Sequence, residues 1–170
     1  MLYVGIDPGP VKTSVAVLRD DGTLESAFTR LNDGALLYCQ QLENGLHVCR
    51  VAIEQVACYG LPVGQEVFST VFWYGRFFQA LRPSTDSKIA VSLITRGDVK
   101  MHLCHTLKGV NDAVVRQALI DRFGPGKDVA IGLKKSPDPL YGVTKDQWAA
   151  LAVAVTLYDQ TLAGVRPHAV

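Results

Sequence analysis

Between Leu2 and Thr29 the chain reads as three short β-rich segments hinged at two turn signals, and this opening constrains what the rest can become. Leu2 to Asp7 is rich in β-formers and stops at Asp7-Pro8-Gly9-Pro10, a strong turn sequence. Thr13 to Leu18 is a second such run. It leads into Asp20-Asp21-Gly22, which suits a tight hairpin, so that Thr23 to Thr29 pairs back in an antiparallel meander.

Helices and single strands then alternate. Asn32 or Asp33 can cap a helix with Leu36, Leu37 and Leu42 at helical spacing and Gly45 as its stop, and Val48 to Gln55 reads as a buried strand interrupted by Glu54. Gly60 to Gly64 is a loop. Gln65 to Leu81 is helical, Ile89 to Ile94 a strand, and about Asp98 to Cys104 and Asp112 to Phe123 are helices. Residues 124–144, rich in Gly and Pro, form a surface loop. From Lys145 to about Ala163 runs a last helix, capped by Thr144 and apolar on nearly every face from Trp148 to Leu157. A meander followed by helix, strand, helix, strand and terminal helices predicts a mixed α/β sheet flanked by helices, in a single domain spanning 1–170.

At 170 residues, folding buries roughly 70% of the unfolded surface, enough for a core without staples. Hydrophobic residues make up 48% and charged residues 19%, which excludes a disordered chain. No apolar run approaches the roughly 20 residues of a membrane span, so a soluble protein with no membrane partner is expected. The N-terminus has no basic leader or cleavage site, and Cys39, Cys49, Cys58 and Cys104 sit among apolar neighbours without a CxxC pair. Both observations suggest reduced thiols in a cytoplasmic location. The net charge of +1 divides into −4 over residues 1–75 and +5 over residues 76–170, so an acidic site can stand beside a basic surface.

Two acids interrupt apolar strands: Asp7 at the end of the first and Glu54 near the end of the fourth. An ionised carboxylate there costs several kcal/mol unless it is paired, hydrogen-bonded or bound to a cation. If the two strands are neighbours, their ends lie about 5 Å apart and can share one ion. Asp146 opens the terminal helix and can join them. Three such oxygen donors suit Mg²⁺ or Mn²⁺, and a pair of these ions about 4 Å apart can hold a scissile phosphate. Each acid also has a plain structural reading. Asp7 suits a turn, Glu54 a structural salt bridge, and Asp146 the dipole of its own helix.

The segments Gly5-Ile6-Asp7-Pro8-Gly9, Ile53-Glu54 and Asp146-Gln147-Trp148-Ala149-Ala150-Leu151-Ala152 together resemble the RuvC Holliday junction resolvases of the ribonuclease H-like superfamily. Thr95-Arg96-Gly97-Asp98-Val99-Lys100, Lys108-Gly109 and Val115-Arg116-Gln117-Ala118-Leu119 are similar to that family's segment after the fifth strand. The resemblance implies a five-stranded ribonuclease H-like sheet, the meander plus parallel strands. It also implies a metal-dependent endonuclease that cuts branched DNA, four-way junctions, as a homodimer, with Mg²⁺ (or Mn²⁺) and no organic cofactor. Asp7, Glu54 and Asp146 take the roles of catalytic metal ligands. The family usually has two aspartates three residues apart on the last helix, and the second position is Ala149 here. Pro139-Leu140-Tyr141-Gly142 looks more like divergent resolvase-like proteins of bacteriophages and prophages.

Lys and Arg contacts to phosphates supply most non-specific affinity for DNA. Arg96, Lys100, Lys108, Arg116, Lys134, Lys135 and Lys145 are candidates, the last three most of all because they flank a loop leading to Asp146. Each also reads as an ordinary surface charge. Tyr59 follows Glu54 closely and can touch a branch point. On the aromatic helix, spacing assigns Phe68, Val71, Phe72 and Phe78 to core packing, with a dimer interface or a junction wedge as the other uses. His102 and His105 read as surface or hydrogen-bonded histidines rather than metal ligands.

Two rivals remain. A catalytically silent branched-DNA-binding module is made credible by Ala149. A nucleotide-binding protein of the actin-like ATPase group shares the sheet topology, and Asp7-Pro8-Gly9 with Thr13 and Ser14 partly fits it, but that group needs two copies of the fold.

Overall fold

The computed structural model describes residues 1–44, 48–57, 60, 62–81 and 89–165. The meander forms as its turn chemistry dictates: β1 (Leu2–Pro8) pairs antiparallel with β2 (Lys12–Arg19), and β2 with β3 (Leu24–Leu31). Gly22 closes the second turn at φ 80°, and Asp21 Oδ1 accepts hydrogen bonds from the Thr23 amide (2.9 Å) and hydroxyl (2.6 Å). On the other side of β1, β4 (Cys49–Gln55) and then β5 (Ile89–Thr95) add in parallel, giving the order β3-β2-β1-β4-β5. Parallel additions need crossovers, here α1 (Asn32–Glu43) and α2 (Gln65–Leu81).

Neither expected residue caps α1. Leu31 takes the cap position without a side-chain bond, and Asn32 turns inward instead. Its Oδ1 accepts from Thr13 Oγ1 at 2.7 Å and its Nδ2 donates to the Gly9 carbonyl at 3.0 Å, tying the helix start to the turn after β1. Gly45, the expected stop, lies outside the described residues. After β5 come α3 (Arg96–Cys104) and α4 (Asp112–Phe123). The first starts two residues earlier than expected because Thr95 and Asp98 form a capping box. Asn111 caps the second, its Oδ1 accepting from the Val114 amide at 3.1 Å. The expected loop at 124–144 contains a short helix, α5 (Lys127–Ala130), and a ribbon of β6 (Gly132–Leu133) and β7 (Ser136–Pro137). The last helix, α6 (Gln147–Leu162), has Asp146 rather than Thr144 at its cap position.

Side-chain alternation divides the core in two. Val4, Ile6, Val51 and Ile53 face α1 and α2, meeting Ala35, Cys39, Phe77 and Leu81. Tyr3, Ala16, Ala52 and Ile94 face the other way, toward α6, α3 and α4. On α6, Trp148 and every residue from Ala150 to Tyr158 are buried, which is why the helix is apolar all round. Gly5 decides how close α6 can lie: a Cβ there would collide with the Ala150 carbonyl oxygen and the Ala154 backbone.

The aromatic helix differs from expectation. Phe68, Val71 and Phe72 are 60%, 46% and 61% exposed, while Phe77 and Leu81 are buried and Trp73, Tyr74 and Phe78 are half-buried. The row Trp73-Phe77-Leu81, four residues apart, faces the sheet, so the Phe68-Phe72 row is turned outward. Cys39 and Cys49 are buried free thiols and Cys104 is half-buried; Cys58 lies outside the described residues. Among the described residues no helix is long and apolar enough to cross a membrane.

Candidate active site

Strand periodicity puts two acids on one face. Asp7 lies two residues beyond Gly5 and Glu54 two beyond Ala52, so both project toward α6. Ile6 pairs with Ile53 at the last step of the β1–β4 ladder, which makes Asp7 and Glu54 the next neighbours along the two strands. Glu54 and Gln55 pair with Ile94 and Thr95 of β5, so Arg96 emerges one step beyond, on the far side of Glu54.

Arg96 Nη1 stands 3.7 Å from Glu54 Oε2, and Nη2 donates to Asp112 Oδ1 at the start of α4. The structural salt bridge open to Glu54 from sequence is therefore present. At 3.7 Å it is an ion pair without a hydrogen bond. Among the described residues, Arg96 Nη1 and Glu54 Oε2 are both buried without a hydrogen-bond partner.

The acids feel one another. Burial first, and then the Glu54 charge, push the Asp7 carboxyl up to about 8, with Asp146 and Asp112 adding to the rise and Arg96 opposing it. Burial also raises Glu54, against the pull of Arg96 and Lys100. Such crowding of desolvated acids is expensive without a cation, which makes these strand ends a candidate functional site.

Asp146 approaches from α6. It is exposed, and its carboxylate makes no capping bond to its own helix. One turn further on stands half-buried Ala149. A cleft of about 80 Å³ lies between these residues and α4, lined by Arg96, Asp112, Val115, Arg116, Lys145, Asp146, Trp148 and Ala149. Among the described residues no three or more Asp, Glu, His or Cys side chains are gathered closely enough to enclose a metal ion. The acids thus surround a site without closing on it.

Of the basic candidates, the cleft gathers Arg96, Arg116 and Lys145. Arg116 is held over the Trp148 ring, 4.6 Å from its centroid, and Lys145 adopts a left-handed φ of 46° beside Asp146. Lys100 is half-buried on α3 and its charge reaches Glu54. Lys108 is exposed between α3 and α4, and Lys134 and Lys135 are exposed on the β6–β7 turn; none of the three lines the cleft. Tyr59 lies outside the described residues. His102 is satisfied by Asp159 at 2.8 Å, and His105 is the left-handed cap of α3. Asp112 is the residue that sequence reasoning misses. In the sequence it is only an acid in the first turn of a helix, and its place in the site depends on α4 packing beside α3 and α6.

No protein-family model matches the chain, and no curated protein sequence matches it. Among solved structures it is similar to a Thermus thermophilus RuvC structure, with a TM-score of 0.61 and 19% identity over 97% of this chain and 98% of that chain. It is also similar to T. thermophilus RuvC in complex with a Holliday junction substrate, with a TM-score of 0.59 and 19% identity over 97% of each chain. With its antiparallel meander, two added parallel strands and flanking helices, the chain has the ribonuclease H-like fold of the RuvC resolvase structures.

Proposed function

We propose that the chain, acting as one domain, is a metal-dependent, structure-selective DNA endonuclease that hydrolyses phosphodiester bonds in branched DNA. The observation that carries this reading is the pair of desolvated carboxylates, Asp7 and Glu54, on neighbouring strand ends beside a cleft lined by Arg96, Arg116 and Lys145. The likeness to a RuvC structure holding a Holliday junction supports a four-way junction as the substrate.

The donor set fits one hard divalent cation. Every candidate ligand is a carboxylate oxygen, and Glu54 Oε2 is a buried acceptor without a hydrogen bond among the described residues. Asp7 and Glu54 would hold the ion. Asp146, uncommitted to its helix cap, would complete the set. Mg²⁺ or Mn²⁺, when bound, would supply Lewis-acid polarisation of the phosphate and make a nearby water more acidic. Arg116 and Lys145 grip backbone phosphates at the cleft, and Trp148 keeps the Arg116 guanidinium in place. Lys100, Lys108, Lys134 and Lys135 extend the basic surface, and Tyr59 contacts the branch point.

A homodimer suits a junction with two strands to cut. The outward Phe68, Val71 and Phe72 of α2 are the surface we assign to the second copy, flanked by Arg76, which lies 5.7 Å over the Phe72 ring. Ala149 and the Arg96–Glu54 pair favour the second reading, a module that binds branched DNA without cutting it.

The test is cleavage of a labelled four-way junction beside linear duplex, flap and single strand, in Mg²⁺, Mn²⁺ or EDTA, by wild type and Glu54→Gln. Paired, metal-dependent nicks confined to the junction and lost in Glu54→Gln are expected. Tight junction binding without any cutting supports the silent module instead.

A further inference from the structure

Of the three cations that line this cleft, Arg96 has a guanidinium N–H without a hydrogen bond among the described residues. Arg96 is anchored on both sides: Nη2 donates to Asp112, and Nη1 faces Glu54 Oε2 across 3.7 Å, too far for a hydrogen bond. Nη1 is buried and makes no hydrogen bond among the described residues. A buried guanidinium N–H left without an acceptor costs free energy, and the acceptor it fits best is an anionic oxygen such as that of a phosphate. The guanidinium also lines the cleft shared by Asp112, Arg116, Lys145, Asp146 and Ala149. On that cleft the last helix offers a methyl group, Ala149, one turn after Asp146, so its first two turns bring one carboxylate.

We propose that Arg96 is a catalytic residue. Its guanidinium, which lines the cleft, binds a non-bridging oxygen of the scissile phosphate and supplies positive charge where Ala149 leaves the last helix without a second carboxylate for a second metal ion. Asp112 is the positioning residue that fixes the guanidinium plane. The inference rests on the nuclease reading above. In the hydrolysis, water forms one new P–O bond and the P–O bond to the leaving sugar oxygen breaks; the water gives up one proton and the leaving oxygen gains one. Arg96 exchanges no proton. It stays charged and offsets negative charge building on the phosphate oxygens.

The experiment is single-turnover cleavage of a saturating four-way junction by wild type, Arg96→Ala, Arg96→Lys, Asp112→Asn and Asp7→Asn. Junction affinity, circular dichroism and a Mn²⁺ titration read by electron paramagnetic resonance accompany it. Arg96→Ala is expected to lose about a hundredfold in cleavage rate, the size of effect seen when one oxyanion donor is removed. Its junction affinity stays within about threefold, because one phosphate contact among several is lost. Added guanidinium ion restores part of the Arg96→Ala rate, Arg96→Lys keeps part of it, and Asp112→Asn loses about tenfold. Wild type and Arg96→Ala each bind one Mn²⁺ per chain.

Wild-type cleavage by Arg96→Ala or Arg96→Lys, or two Mn²⁺ bound per wild-type chain, overturns the proposal while leaving the nuclease reading intact, provided Asp7→Asn is inactive. Should Arg96→Ala fail to fold, Arg96→Lys and the ion count decide. Normal cutting by Asp7→Asn, or a wild type that cuts nothing, removes the nuclease reading and this proposal with it.

Discussion

The two faces of the central sheet are built from the same strands and do different work. Toward α1 and α2 the strands present Val4, Ile6, Val51 and Ile53, branched side chains that fill one half of the core. Toward α6 the same strands present Gly5 and Ala52, and then, two residues on, Asp7 and Glu54. The first face is packed for volume. The second is pared down so that a helix can lie almost on the backbone, and this close approach brings Asp146 and Ala149 beside the strand-end acids. Core packing and the strand-end acids are thus separated by the period-2 alternation of single strands.

The comparison breaks most easily at Gly5. Gly5→Ala should destabilise the protein by about 3 kcal/mol, the upper end for overpacking, because the new methyl meets α6 backbone rather than a side chain that can move aside. Urea denaturation measures this. On the opposite face Ile6→Val removes one methylene from a fully buried residue and should cost about 1 kcal/mol. Equal effects at the two positions would mean that α6 is not seated on β1 as described.

Smaller effects sharpen the account. Phe72→Ser, at a side chain 61% exposed, should change the stability of one copy by less than about 0.5 kcal/mol. Light scattering should nevertheless show a shift from dimer to monomer at low micromolar concentration; an unchanged dimer moves the interface elsewhere. The smallest effect belongs to Asp159. Burial pushes its carboxyl up, but hydrogen bonds from His102 and Arg122 and the Arg122 charge outweigh burial and hold it below the usual carboxylate range. A depressed acid contributes stability that is present above its unfolded value of 3.8 and lost as pH falls through its lower folded value. Asp159→Asn should therefore lower the thermal midpoint slightly at neutral pH, and the gap from wild type should close as the solution is taken toward pH 3, which a melting series shows.

Much of this arrangement is legible in the sequence, because its signals are local. Turn residues place the meander, helical spacing gives Gln65–Leu81 and Asp112–Phe123 their bounds, and acids inside apolar strands single out Asp7 and Glu54. What local signals miss depends on contacts between distant elements. The outward turn of Phe68 and Phe72 follows from which row of α2 meets the sheet, a choice that a helix rich in aromatics on several faces leaves open. The inward Asn32, read from sequence as a cap, is claimed by Thr13 and Gly9 of the neighbouring hairpin. Asp112 enters the site only because Arg96 reaches across from α3. Lys134 and Lys135, close to Asp146 in sequence, sit on a ribbon whose turn does not line the cleft.

The most direct test of the central claim, that the strand-end acids form a metal-dependent nuclease site, is cleavage of a labelled four-way junction by wild type and Asp7→Asn in Mg²⁺. Junction affinity and the thermal midpoint are measured on the same samples. The account predicts paired nicks from wild type that EDTA abolishes. Asp7→Asn should cut at least a thousandfold more slowly, about 4 kcal/mol in barrier, with junction affinity unchanged and, in EDTA, a midpoint equal to or above wild type, because the cost of burying an ionisable acid beside Glu54 is gone. Wild-type cutting by Asp7→Asn, or wild-type cutting that persists in EDTA, would contradict it.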